Sequence, residues 1–163
     1  MEEIIIEKLD HNFKYLLAQR PGAENIKKCY ACGTCTSACP VFQVENEYSP
    51  RRIIRMILMG MKEEVLKSKL IWLCARCYTC SFNCPQGVDF SNIMAVLREL
   101  SVEAGYVGPE TPEKIDLITT LIHEARKDCI NLILDGKKEQ NGSISRKIED
   151  GLSRIMEGGG NGS

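Results

Sequence analysis

A chain of 163 residues with 44% hydrophobic residues and a formal net charge of −1 is one domain by length, with room for a core and a tail. Its near-neutral balance argues against charge-driven binding to nucleic acid or an anionic membrane. Its longest nearly apolar run, Ile53–Met61, spans nine residues and contains Arg55 and Gly60, far short of the ~20 that a spanning helix needs.

Met1–Asp10 carries Ile4-Ile5-Ile6 between acids, readable as an edge strand or a helix start, with neither a basic stretch nor a cleavage site. Nine cysteines in such a chain point to a reducing cytoplasm where thiols bind metal. Asp10 is a candidate N-cap for a helix carrying Phe13, Leu16 and Leu17, closed by Arg20-Pro21-Gly22. A short helix over 23–28 leads into the first cysteine run; Lys27 and Lys28 precede it as ordinary surface lysines or as charges that soften a neighbouring anion.

Ser49-Pro50 starts the next helix, with Ser as cap and Pro at the first turn; Gly60 closes it. Ile53, Ile54, Ile57 and Leu58 form its buried stripe. A further helix over 62–67 turns Val65 and Leu66 inward. After the second cysteine run, Asp89 or Ser91 caps a helix with Ile93, Met94, Leu97, Leu100 and Ala104 on one side. Thr111-Pro112 opens another, whose apolar face runs Ile115, Ile118, Leu121, Ile122, Ala125, Cys129, Leu132 and Ile133 and closes near Asp135-Gly136. Cys129 is expected to pack in the core. The expected domain covers residues 1–136. Residues 137–163 read as a polar tail, flexible or ordered on a partner. No stretch sustains period-2 alternation, so the fold class is all-α.

The two cysteine runs carry the chemistry. Residues 29–40 read CYACGTCTSACP and residues 74–85 read CARCYTCSFNCP. Both follow C-x₂-C-x₂-C-x₃-C-P, the spacing of [4Fe–4S] ligation in two-cluster ferredoxins, whose fourth cysteine serves the other cluster. Cys29, Cys32, Cys35 and Cys84 are therefore assigned to one cluster, and Cys74, Cys77, Cys80 and Cys39 to the other. Pro40 and Pro85 end the local turns. Gly33 relieves crowding in the first loop; Tyr78 stands at that place in the second, so the loops need not share a shape. Two halves that exchange their fourth cysteines imply pseudo-two-fold symmetry.

Zinc competes, since two Cys₄ sites would use eight thiolates, but zinc patterns draw C-x-x-C pairs from separated knuckles. Disulfides conflict with the compartment, and a redox C-x-x-C normally stands alone. Four thiolates saturate a cubane, which leaves outer-sphere electron transfer as its role. No dinucleotide or P-loop pattern is present, and His11 and His123 lie far from the cysteine runs in sequence. No catalytic residue is assigned. Arg51, Arg52, Arg55 and Arg76 form either a solvated basic edge or a group that docks or tunes the clusters.

The paired motifs, Ser49-Pro50-Arg51-Arg52-Ile53-Ile54-Arg55-Met56, Ile71-Trp72-Leu73-Cys74 and Cys84-Pro85-Gln86-Gly87-Val88 resemble the C-type iron–sulfur subunit of heterodisulfide reductase over about residues 25–105. The resemblance implies an α-helical ferredoxin fold with two [4Fe–4S] clusters. It also implies a relay from an A-type subunit, which contains flavin and iron–sulfur centres, to a catalytic B-type subunit, which cleaves the disulfide of coenzyme M and coenzyme B. No Cys-Cys dipeptide occurs here, so that cleavage is not expected of this chain. Similar C-type subunits serve sulfur-oxidising and sulfate-reducing complexes, and a free two-cluster ferredoxin is a further alternative.

Overall fold

A computed structural model of the chain describes residues 9–135 and 142–157. Readings made for Ile4–Ile6 and for the glycine-rich end lie outside these residues. Among them the secondary structure is helical, as the absence of strand periodicity predicts: α1 (Phe13–Ala18), α2 (Thr34–Ser37), α3 (Pro50–Met59), α4 (Lys62–Lys67), α5 (Thr79–Phe82), α6 (Phe90–Glu103), α7 (Thr111–Leu134) and α8 (Ser143–Met156). Two 3₁₀ turns, Glu24–Lys28 and Lys69–Trp72, complete the set. The chain forms two compact units that divide between Gly108 and Pro109.

The first unit is built twice from one plan. Each half runs from a 3₁₀ turn through a cysteine loop and a four-residue helix to a longer helix. Ile26 and Ile71, which match in the repeat, are both buried under their 3₁₀ turns. The helix starts follow side-chain capping. Ser49 Oγ accepts from Arg52 N–H and Asp89 Oδ1 accepts from Asn92 N–H, which satisfies donors that the first turn leaves unpaired. Of the two candidate caps before α6, Asp89 occupies the cap position.

A second pair of hydroxyls ties each short helix to the long one after it. Thr36 Oγ1 accepts from Arg51 N–H at 3.0 Å, and its repeat counterpart Ser81 accepts from Ser91 N–H at 3.1 Å. The helix axes are thereby locked to the cysteine loops. Helix α6 is the centre of the unit. Ile93, Met94, Leu97 and Leu100 face inward as expected, while Ala104 lies past the last turn and is exposed. Ser101 reaches Leu66 O at 2.8 Å, pinning α4 to α6.

Gly60 ends α3 in the left-handed region at φ +87°, and a Cβ there would stand 2.6 Å from Asp10 O. Gly60→Ala is expected to destabilise the unit by more than the roughly 1–2 kcal/mol of left-handed backbone alone, because backbone must move as well. Gly105→Ala, at φ +72° with open space around it, is expected to carry only the backbone cost. Denaturant midpoints of the two variants check this; equal losses would refute the crowding.

In the second unit α7 and α8 pack side by side. Lys147 of α8 meets Asp128 at 2.9 Å and Glu124 at 3.5 Å, and Gly151 approaches Leu121, so the helices run antiparallel. The Lys147 ammonium beside Asp128 holds that carboxyl below its ordinary range. Within residues 137–163, read from sequence as a polar tail that is flexible or ordered on a partner, Ser143–Met156 is a helix that packs onto α7. The apolar face expected of α7 is only partly covered. Ala125 is buried, whereas Ile122, Cys129 and Ile133 are exposed. Core packing of Cys129 is thereby overturned: α8 meets α7 at Leu121, Glu124 and Asp128, and Cys129 is exposed.

Candidate metal centre

Each cysteine loop is shaped by two left-handed residues placed identically in the repeat. They are Ala31 (φ +60°) and Gly33 (φ +89°) in the first loop, and Arg76 (φ +49°) and Tyr78 (φ +59°) in the second. The loops thus carry left-handed residues at matching places, although Tyr78 stands where the first loop has Gly33. A non-glycine residue in this region costs roughly 1–2 kcal/mol. Such strain persists where surrounding structure over-determines it, typically at functional sites. Turns that combine right- and left-handed residues gather N–H groups into anion-binding concavities of the kind found at iron–sulfur sites.

Cys29, Cys32 and Cys35 line one cavity together with Cys84 of the second motif. Val88 N–H donates to Cys84 Sγ at 3.3 Å, holding that sulfur in place. In the second half Cys39 and Cys80 are buried, and the charges of Cys74, Cys39 and Cys80 all act on the buried Tyr48. Cys77 stands exposed at the outer edge of the second loop. Between the two groups α2 packs against α5, and Cys35 feels the charge of Cys80. Among the described residues no three His, Cys, Asp or Glu side chains converge on a position for a single ion.

Their electrostatics repeat as the backbone does. Thr34 Oγ1 lies 3.3 Å from Cys32 Sγ, and its bond holds that thiol below the ordinary range. Thr79, the repeat counterpart, does the same for Cys77. The inner cysteines behave oppositely: burial pushes Cys35 up to about 11 and raises Cys80. Ser91 Oγ, 3.5 Å from Cys80 Sγ, opposes the rise at Cys80. Burial, then the thiols facing its hydroxyl, raise Tyr48. Eight thiols in two groups, with hydroxyl and amide hydrogen bonds to sulfur and loops shaped for an anion, fit a pair of iron–sulfur cubanes better than isolated metal ions.

Other sequence candidates fall elsewhere. Lys27 sits 5.0 Å from the Tyr15 ring centroid; Lys28, Arg52 and Arg55 are exposed. His11 and His123 are exposed outside the cysteine loops. Arg51 and Arg76 are exposed as well, and Arg51 also lines the first cavity. Sequence reading missed Arg98, a buried guanidinium that donates to the carbonyls of Ile71 and Cys74 at 2.9 Å and of Trp72 at 3.3 Å. It also missed the hydroxyl pair Thr36 and Ser81, whose signal was their equal position in the repeat.

Comparison with known proteins agrees with this geometry. The 4Fe-4S dicluster domain family matches residues 25–88. Similar chains include the C-type subunit of the H(2):CoB-CoM heterodisulfide,ferredoxin reductase of Methanothermobacter thermautotrophicus, 33% identical over 110 residues, which is 66% of this chain and 58% of that protein. The C-type iron-sulfur subunit of the CoB--CoM heterodisulfide reductase of Methanopyrus kandleri is 39% identical over 83 residues, 51% of this chain and 43% of that protein. The C-type subunit of the Ferredoxin:CoB-CoM heterodisulfide reductase of Methanosarcina mazei is 34% identical over 104 residues, 64% of this chain and 63% of that protein. The matched region thus spans between 43% and 63% of these three relatives.

Proposed function

From the premise that this chain is related to the C-type subunits of heterodisulfide reductases and holds two [4Fe–4S] clusters in a dicluster domain, we propose that it relays electrons between an A-type chain, which carries flavin and iron–sulfur centres, and a catalytic B-type chain. The disulfide of coenzyme M and coenzyme B, or a related thiol–disulfide couple, is the substrate of that catalytic chain and not of this one. The observation that carries the reading is the doubled loop, with its matched left-handed residues and its cavity lined by Cys29, Cys32, Cys35 and Cys84.

When bound, the clusters supply one-electron carriers whose potentials respond to net charge, hydrogen bonds to sulfur and exposure. The chain's own residues do the rest. Cys29, Cys32, Cys35 and Cys84 would hold one cluster; Cys74, Cys77, Cys80 and Cys39 would hold the other. Four thiolates per cluster leave no open position for a substrate, so the chain assists transfer without making or breaking bonds. Thr34, Thr79 and Val88 direct hydrogen bonds at sulfur. Ile54, Val88 and Phe90 are buried and line the first cavity, where they limit water. Among the described residues no helix is long and apolar enough to cross a membrane. The proposed site of action is the cytoplasm, where thiols stay reduced and free to bind metal.

Anaerobic purification tests the proposal. The chain is expected to be brown, to bleach with dithionite, to co-elute with A-type and B-type chains, and to reduce no disulfide by itself. Turnover by the isolated chain, or iron-free zinc protein, would overturn it.

A further inference from the structure

The two halves agree closely in backbone, so the places where their side chains differ are informative. The second residue of α3 is Arg51 and the second residue of α6 is Ser91. Each donates its N–H to the matched hydroxyl of the preceding short helix, Thr36 or Ser81. These two residues therefore occupy the same place relative to their cysteine loops. Their side chains do different things. Ser91 sets a neutral hydroxyl 3.5 Å from Cys80 Sγ. Arg51 sends its guanidinium across the first loop, where Nη1 would lie 3.6 Å from a Cβ built on Gly33, and it lines the cavity shared by Cys29, Cys32, Cys35 and Cys84.

Among the described residues Arg51 has no carboxylate partner. Its charge is therefore not cancelled locally. Arg52, one residue on, lines a different cleft with Glu47, Met56 and Leu70. The second half has arginines of its own: Arg76 stands exposed in the second loop, and the buried Arg98 guanidinium is taken up by the carbonyls of Ile71, Trp72 and Cys74; both act on the other loop.

We propose that Arg51 tunes the reduction potential of the cluster held by Cys29, Cys32, Cys35 and Cys84, making that cluster easier to reduce, with no equivalent effect on the second cluster. A cubane with four thiolates has a net charge of −2 when oxidised and −3 after gaining one electron; no bond forms or breaks. A fixed cation nearby stabilises the more negative state, so its removal lowers the potential. The inference rests on the ligand assignment proposed above.

The test is a dithionite titration of the anaerobically purified full chain, followed by EPR, in Arg51→Lys, Arg51→Gln and Arg51→Glu variants. Cys32→Ser and Cys77→Ser identify which signal belongs to which loop. At a fixed potential near the midpoint, Arg51→Gln is expected to lower the reduced-to-oxidised ratio of the first cluster about three- to tenfold; tenfold is 59 mV for a one-electron couple. Arg51→Lys should largely restore it, and Arg51→Glu should lower it further. The second cluster and the Arg52→Gln control should not move. The difference should shrink at 1 M salt, where the screening length falls to about 3 Å, a response that a merely structural role would lack. Both clusters present with unshifted potentials, or both shifted equally, would overturn the inference. A wild-type chain that assembles no clusters would overturn the ligand assignment first, and the inference with it.

Discussion

Cys39→Ala is expected to abolish the cluster of the second loop and to spare that of the first, although Cys39 belongs to the first motif. The sequence spacing assigns the fourth cysteine of each run to the other cluster, and the place of Cys84 in the cavity lined by Cys29, Cys32 and Cys35 fits that assignment. The reciprocal variant, Cys84→Ala, should lose the first cluster and keep the second. Metal binding and folding are coupled when the site does not pre-exist in the unfolded chain, so each variant should also melt earlier than the parent. EPR of the dithionite-reduced proteins reads the result, with Cys32→Ser and Cys77→Ser as markers for the two loops. Loss of the first-loop signal in Cys39→Ala, with the second intact, would sink the crossed assignment.

Replacing Arg98 by Met should be the most damaging change outside the cysteines. The side chain is buried. It donates to three carbonyls that lead into the second loop, those of Ile71, Trp72 and Cys74, and its guanidinium lies 5.6 Å from the Trp72 ring centroid. Methionine fills much of the volume and satisfies none of the acceptors. A buried acceptor left unpaired costs about 1–3 kcal/mol, so a loss of about 2–5 kcal/mol is expected once partial access to water is allowed for. Arg98→Lys should rescue only part of this, because a compact ammonium cannot reproduce the planar fork of donors. The second cluster should become labile before the first. Denaturant midpoints and iron retention measure both effects. A loss below about 0.5 kcal/mol, in the range of ordinary surface changes, with both clusters retained would refute the role.

Much of this was legible without coordinates, for a physical reason: the informative features are local. The cysteine spacing is a property of a few residues and a cluster. Ser49-Pro50 and Gly60 bound α3 because capping and left-handed closure are decided within one turn; α3 runs Pro50–Met59, as read. Val65 and Leu66 were placed inward on α4 by spacing alone, and both are buried.

The features that escaped are decided between segments. The likeness of the two loops was hidden by Tyr78 standing where Gly33 would suggest a unique need for glycine; only the backbone shows both in the left-handed region. Nothing local marks Arg98 in the sequence, because its partners lie 24 to 27 residues earlier in the chain. The apolar stripe of α7 predicted burial, but a stripe states what a helix could cover and not how wide a neighbour will come. With α8 as the neighbour, Ala125 is buried while Ile122 and Cys129 are left exposed. By itself, then, the sequence determined an all-helical chain with eight thiols spaced for two cubanes, because ligation and capping act over a few residues. Tertiary structure alone decided which arginine reaches the first loop and which is buried behind the second, because each depends on groups that meet only after the helices pack.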